Sequence, residues 1–312
     1  MNNSDNVKYS IIIPHYNSPA TLEKLLSTIP IRDDIQVIVI DDYSTDYIDE
    51  LNKLMASQKH VIFYRNDTGI KNAGTCRNIG LKYATGKWIF FADADDFFTP
   101  DFLSIAETYY ESDYEVIFIS PISLNLLTDL TSDRHLPYQY AIRKYSKNPN
   151  RRNEMVLKYR YCSPCSKMIK RSFLEKFNIE FEAVEVANDV MFSTKLSYCL
   201  SSFSTCSQPI YCITKSGGTL TTAVTKDRFA IRRSVFFNRC SFLRNNLTES
   251  DWRKTKISGK NLLIQAYKRV GGMKTFNETY KLLRKHKIRI ATWENYDVLY
   301  QFWKLKNGKQ NV

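Results

Sequence analysis

The first 120 residues alternate short β-rich apolar runs with helical stretches, and that alternation constrains the fold more than any other feature of this chain. The runs lie at 9–13, 35–40, 61–64, 88–92 and 116–119. Segments 20–27, 46–55, 75–84 and 99–110 between them carry helical patterning, with Ser18 and Ser44 or Thr45 placed as caps. The order βαβαβαβαβ predicts an α/β fold, a mostly parallel sheet with helices on its faces. In such open sheets ligands sit beyond the carboxyl ends of the strands. The strand ends here read Pro14-His15-Tyr16-Asn17, Asp41-Asp42, Arg65-Asn66-Asp67 and Asp93-Ala94-Asp95-Asp96, so four polar ends converge on one site.

The last of these ends carries the most chemistry. A strand that empties into clustered carboxylates suits Mg²⁺ or Mn²⁺, which prefer carboxylate, water and phosphate oxygens to a closed cage of protein ligands. Taken alone, the same tetrapeptide also reads as an acidic turn capping the helix from Thr99. No GxxxxGK[ST] loop or GxGxxG fingerprint is present, so phosphates would be met by metal and Arg.

Composition sets the outer limits. The chain has 312 residues and is 43% hydrophobic, ample for a core. Its net charge of +13 is unevenly placed: residues 226–312 hold 21 basic and 6 acidic residues, against 24 and 26 in residues 1–225. Seven scattered cysteines form no disulfide-scaffold pattern, which favours reduced thiols and a cytosolic setting. Cys162 and Cys165 have CxxC spacing but lack the second pair a zinc site needs. No run of some 18 apolar residues and no leader-like N-terminus is present, so the expected chain does not span a membrane.

Four segments in order resemble the family 2 nucleotide-sugar-dependent glycosyltransferases: Ser10 to Asn17 (SIIIPHYN), Val37 to Asp46 (VIVIDDYSTD), Asn72 to Gly80 (NAGTCRNIG) and Phe90 to Asp96 (FFADADD). The resemblance covers roughly 8–220 and implies a GT-A (Rossmann-like) fold. It divides the chain into a catalytic domain, 1–225, with a nucleotide-binding half (1–120) and an acceptor half (121–225), and a basic helical C-terminal region, 226–312. One departure stands out, since the family commonly has Gly where Tyr43 stands.

The resemblance also implies roles. Pro14, Tyr16, Asn17, Asp41 and Asp42 become nucleoside contacts, Arg77 a diphosphate contact, Asp93 and Ala94 donor contacts, and Asp95 with Asp93 the metal ligands, with Asp96 supporting the loop. The chemistry is coherent, because a Tyr ring packs on a base, a carboxylate accepts the uracil imide N–H, and a divalent ion neutralises a departing diphosphate. In the second half, Asn188-Asp189 stands where the family often has Glu-Asp, leaving Asp189 as the general base of an inverting transfer; its competing reading is a helix cap. The segment from Ile210 to Thr221 reads as a strand entering a Gly-containing loop that in the family often closes over the donor.

In the basic region, Phe229, Phe236, Cys240 and Leu243 fall on one helical stripe bordered by Arg232, Arg233 and Arg239. That pattern suits either an interfacial helix on an anionic membrane or a helix packed on the catalytic domain with solvated Arg rims. The resulting expectation is a cytoplasmic, peripheral inner-membrane glycosyltransferase. It would use a UDP-sugar and Mn²⁺ or Mg²⁺ to extend a glycan acceptor, lipid-linked or free, in bacterial surface polysaccharide synthesis (capsule, O-antigen or lipooligosaccharide). The rivals are a metal-dependent nucleotidyltransferase, which would want a Gly-rich basic loop where Pro14-His15-Tyr16-Asn17 stands, and a non-catalytic basic nucleic-acid- or membrane-binding protein on the same fold, with no recognised nucleic-acid-binding motif present.

Overall fold

The computed structural model describes residues 6–215 and 224–290. The chain divides into two units, residues 1–219 and 220–312.

The first unit opens with β1 (Tyr9–His15), α1 (Pro19–Ser27), β2 (Ile35–Asp41), α2 (Ile48–Ser57), β3 (Val61–Arg65), α3 (Ala73–Tyr83) and β4 (Trp88–Phe91). After the acidic turn come β5 (Phe97–Phe98), α4 (Phe102–Glu107), β6 (Val116–Ile119), β7 (Ile122–Asn125) and β8 (Leu130–Thr131). The unit closes with α5 (Leu136–Lys147), α6 (Arg151–Arg160), β9 (Lys167–Lys170), α7 (Arg171–Lys176), α8 (Asn188–Cys199), β10 (Phe203–Cys206) and β11 (Tyr211–Lys215). Seven strands form the central sheet in the order β10-β6-β9-β4-β1-β2-β3, with only β9 running against the rest. Ile11, Ile12, Ile13, Val37 to Ile40, Ile89 to Phe91 and Val116 to Ile119 are buried, as strands covered by helices on both faces must be.

A second, four-stranded sheet in the order β5-β11-β7-β8 stands beside the turn after β4. It removes the helix-cap reading of that turn, because Asp93 to Asp96 lead into a strand whose Phe98 pairs with Tyr211 of β11, and α4 starts only at Phe102. The expected cap of α2 is also corrected. That helix begins at Ile48 after Tyr47 in the left-handed region, while Ser44 is engaged elsewhere.

The second unit contains α9 (Lys226–Asn246), capped by the Thr225 side chain, α10 (Glu249–Lys254), α11 (Lys260–Gln265), a π-helical turn Ala266–Gly271 and α12 (Gly272–Lys285). Phe229, Leu262 and Ala266 form its core with Val224, Phe236, Phe237 and Val270 packed around them. The α9 stripe, which the sequence left open between lipid and protein packing, is internal: Phe229, Cys240 and Leu243 are buried, and so is the bordering Arg239. No helix among the described residues is long and apolar enough to cross a membrane.

Candidate active site

The loops after β1 and β2 are knitted to each other. His15 Nε2 accepts the Ser18 amide proton at 3.1 Å, so the ring proton sits on Nδ1 and is donated to Asp41 Oδ1 at 2.9 Å. The same carboxylate accepts the Ser44 hydroxyl at 2.5 Å and, through Oδ2, the Ser44 amide at 2.9 Å. Burial pushes the Asp41 carboxyl up, but the hydrogen bonds from His15 and Ser44 win and hold it below its ordinary value. Asn17, in the left-handed region at φ 49°, accepts the Thr45 and Asp46 amides at 2.8 and 3.1 Å and donates to Asp46 Oδ2 at 2.7 Å. Asp41 and Asn17, expected at a nucleoside, are thus engaged by the protein itself as loop organisers. Asp42 is buried too, bonded by Asn66 Nδ2 at 2.6 Å, and burial raises its carboxyl against that bond.

Above these loops the exposed groups are aromatic and cationic. Tyr43 has φ 63°, which explains the glycine common at this place in the family, since a side chain there costs about 1 kcal/mol or more. Its ring is covered by Arg65, with the guanidinium carbon 3.8 Å from the centroid. Lys71 Nζ lies 5.0 Å from the Tyr43 ring centroid and 5.6 Å from that of Tyr16. Two exposed rings thus share one cation, Lys71, at this end of the sheet. Pro14, half-buried at the end of β1, pairs with Ile40.

The acidic turn behaves differently. Asp96 points inward, its Oδ1 accepting the Thr214 amide at 2.7 Å, while the Thr214 hydroxyl bonds the Asp95 carbonyl at 2.6 Å. Burial pushes the Asp96 carboxyl well above the usual carboxylate range, and the charges of Asp93 and Asp95 add to this. The Asp93 amide donates to the Tyr211 hydroxyl at 2.8 Å, so β11 clamps the turn at both ends. Ala94 is buried within the turn. Asp95, half-buried, has no ion pair among the described residues; burial and then the neighbouring Asp93 charge raise its carboxyl, against a weaker pull from Arg134.

Arg77 joins this turn to the second half of the unit. Expected at a diphosphate, it is buried, with Nη2 2.5 Å from Asp93 Oδ1 and Nη1 3.0 Å from Asn188 Oδ1. Burial works against its charge, but Asp93, Cys165 and Asp189 together more than offset this. Two glycines of α3 make the placement possible. A Cβ on Gly80 would come within 2.4 Å of Ile12 Cγ2, and one on Gly74 within 2.6 Å of the Glu182 carbonyl and 2.8 Å of Asn188 Cβ. The helix therefore lies flat on β1 and β2 while its first turn touches the start of α8. Asp189 does not cap α8: Ala187, at φ 61°, is the N-cap, and Asp189 sits in the first turn. Burial raises its carboxyl, opposed by Arg77.

No three His, Cys, Asp or Glu side chains among the described residues gather to hold a metal. A Mg²⁺ or Mn²⁺ that shares its shell with waters and a diphosphate needs only one or two carboxylates. Asp95 and the half-exposed Asp93 fit that requirement: both are oxygen donors on one turn, and the Asp95 carboxyl is raised because no cation is close enough to outweigh burial and Asp93. The sequence assigns no role to Tyr43, Arg65, Lys71, Tyr211 or Thr214. The unusual residue at 43 and the polar end of β3 pointed to the first two, whereas nothing local marks a threonine that binds a partner 118 residues away. Of the loop expected to close over a donor, only Lys215 is described; residues 216–221 lie outside the described residues.

The sequence profile of "Glycosyl transferase family 2" matches residues 10–177. The poly(ribitol-phosphate) beta-N-acetylglucosaminyltransferase TarS of Staphylococcus aureus (strain Mu50) is 26% identical over 117 residues, 36% of this chain and 20% of TarS. The match thus spans about a fifth of that relative's length. The solved structure of S. aureus TarS 1-349 in complex with UDP-GlcNAc shares the fold at a TM-score of 0.63 and 18% identity, covering 90% of this chain and 81% of that one. A mannosyltransferase from Pyrobaculum calidifontis, solved with GDP-Man and Mn²⁺, gives a TM-score of 0.53 at 16% identity, covering 96% and 80%.

Proposed function

The chain belongs to glycosyl transferase family 2, and from that membership we propose that it moves a sugar from a UDP-sugar to a hydroxyl of a glycan acceptor with inversion. The observation that carries the reading is the Arg77 bridge. One buried guanidinium holds Asp93 of the acidic turn and Asn188, the neighbour of Asp189, so the donor-side carboxylates and the candidate base are fixed together. The nucleobase is read by Tyr16, Tyr43 and Lys71, with Pro14 at the end of β1, and by Asp42; Asp41 and Asn17, already engaged by the protein, shape the loops that carry them. Asp95, with Asp93, holds Mn²⁺ or Mg²⁺, which when bound stabilises the charge growing on the departing diphosphate. Asp189 takes the proton of the acceptor hydroxyl, and its raised carboxyl brings it nearer to working pH than an ordinary aspartate. A single displacement inverts the anomeric centre.

The donor sugar is a hexose or N-acetylhexosamine and the acceptor a bacterial surface glycan, a reading supported by the poly(ribitol-phosphate) substrate in the name of TarS. Calorimetric titration with UDP and GDP, each with and without Mn²⁺, tests the donor site on wild type and Asp95→Ala. Metal-dependent UDP binding that the variant loses is the expected result. Preference for GDP would transfer the reading to a GDP-sugar, the kind of donor with which the Pyrobaculum mannosyltransferase was solved, and released pyrophosphate in place of UDP would make the enzyme a nucleotidyltransferase.

A further inference from the structure

The second unit carries an apolar, positively charged face that its own core does not use. Ile264, Tyr267, Met273 and Tyr280 are 43%, 51%, 58% and 39% exposed. On α12 the apolar residues Met273, Phe276 and Tyr280 recur at i, i+3 and i+7, forming a stripe beside the buried Thr279 and Leu283. The rings are continuous: the Phe276 centroid lies 6.4 Å from those of both Tyr267 and Tyr280. Arg284 falls on the solvent side of this stripe, with Lys274, Lys281 and Lys285 further round the helix and Lys268 and Arg269 on the π-helical turn.

None of these six cations has an ion pair among the described residues, and Glu278 is the one acid in the sequence between Lys256 and Ile290. The acids of α10, Glu249 and Asp251, are paired with Arg253 and Lys254. Crowding of like charge is visible on the neighbouring α9, where burial and then Arg228 and Arg269 push the Arg232 guanidinium down.

We propose that this face is a docking surface for an anionic lipid bilayer, with Ile264, Tyr267, Met273 and Tyr280 at the acyl boundary and the surrounding Lys and Arg on the headgroups. Amphipathic aromatics and Met set in a basic rim match the interfacial region of a membrane, where apolar burial and headgroup attraction act together. A second copy fits worse, since a two-fold contact would set the same cations against each other. A nucleic acid would meet the cations but leave the aliphatic Ile264 and Met273 without a partner. The docking element is thus the face built by α11, the π-helical turn and α12, not the α9 stripe. The inference does not rest on the donor-site reading.

Vesicle flotation of the full chain tests it, using phosphatidylcholine alone and with 30% phosphatidylglycerol (about one anionic lipid in three). Binding to the anionic vesicles only is expected, falling at least about tenfold in Tyr267→Ser/Met273→Ser and in Lys281→Glu/Arg284→Glu, whose positions are exposed enough to leave the melting temperature unchanged. Tryptophan emission from Met273→Trp should shift to the blue on the anionic vesicles, while Tyr47→Trp on the loop before α2 stays unshifted. Equal binding to both vesicles, no binding, or full binding by either double variant overturns the proposal. So does sedimentation showing that these variants abolish self-association, which would give the face to a second copy. UDP titration on the same samples is unaffected in every case, so a failure here is separable from a failure of the donor site.

Discussion

Two acidic clusters end the strands on either side of β1, and Asp41 of one and Asp95 of the other are held in opposite ways. Asp41 is surrounded by donors, and its carboxyl is held below its ordinary value by His15 and Ser44. Asp95 has no ion pair among the described residues, and burial next to Asp93 drives its carboxyl up. A carboxylate that the protein has already satisfied stabilises a loop, whereas one left charged and unpaired beside another represents stored electrostatic cost that a bound cation relieves. Acidity at a strand end is therefore not a ligand site in itself. The partners decide, and they differ between β2 and β4 because a histidine and a serine happen to reach Asp41, whereas Thr214 reaches the turn of β4 through Asp96 and leaves the Asp95 carboxylate aside.

The contrast is sharpest in turnover. Asp95→Ala should abolish transfer, by a factor of about 10³ or more, yet leave the metal-free melting temperature unchanged, since a repelled carboxylate contributes little to folding. A large fall in melting temperature with activity retained would make Asp95 a structural residue like Asp41. Asp189→Asn should cost about 10² to 10⁴ in rate and leave UDP affinity intact. In the wild type the rate should fall toward acid with an apparent pKa above the ordinary aspartate range, because the carboxyl is raised and must be ionised to accept a proton; the variant should lose that limb. An acid limb at the ordinary aspartate value would remove Asp189 from the role of base.

Arg77→Lys keeps the charge but cannot reach Asp93 and Asn188 together, so turnover should drop about 10- to 100-fold and stability by about 3 kcal/mol. Urea unfolding that matches wild type would break the bridge argument. Asp41→Asn should change UDP affinity by less than about tenfold while costing about 1–2 kcal/mol at neutral pH. The sign follows from a depressed carboxyl: its stabilisation is present above the ordinary aspartate value near pH 4 and is lost as pH falls through the lower folded value, so the variant's stability should lose that acid dependence. Tyr43→Gly should be the mildest change. Relief of the left-handed backbone, about 1 kcal/mol, offsets the lost Arg65 stacking, about 0.5–1 kcal/mol, leaving a weakening of UDP binding of a few-fold as the readable effect.

Much of this architecture is legible in the residues. The five parallel-sheet runs predicted at 9–13, 35–40, 61–64, 88–92 and 116–119 appear as β1, β2, β3, β4 and β6 within a residue or two, and their polar ends converge on one edge. Helix starts were less legible, because Ser44 binds Asp41 and leaves α2 to begin after Tyr47. The α9 stripe was visible as a stripe, but periodicity cannot say whether an apolar face meets lipid or a core, and Phe229, Cys240 and Leu243 are in the core.

The sequence by itself determined the α/β sheet, the family and the edge where the polar strand ends gather, because hydrophobic period and turn chemistry act over a few residues. Only the tertiary structure decided that Asp41 and Asn17 organise loops, that Arg77 is buried between Asp93 and Asn188, and that Asp95 has no ion pair among the described residues. Each of these depends on hydrogen-bond partners far off in the chain, as Asn188 is from Arg77 by 111 residues, and in a close-packed interior the assignment of such partners is settled by how helices and strands seat against one another.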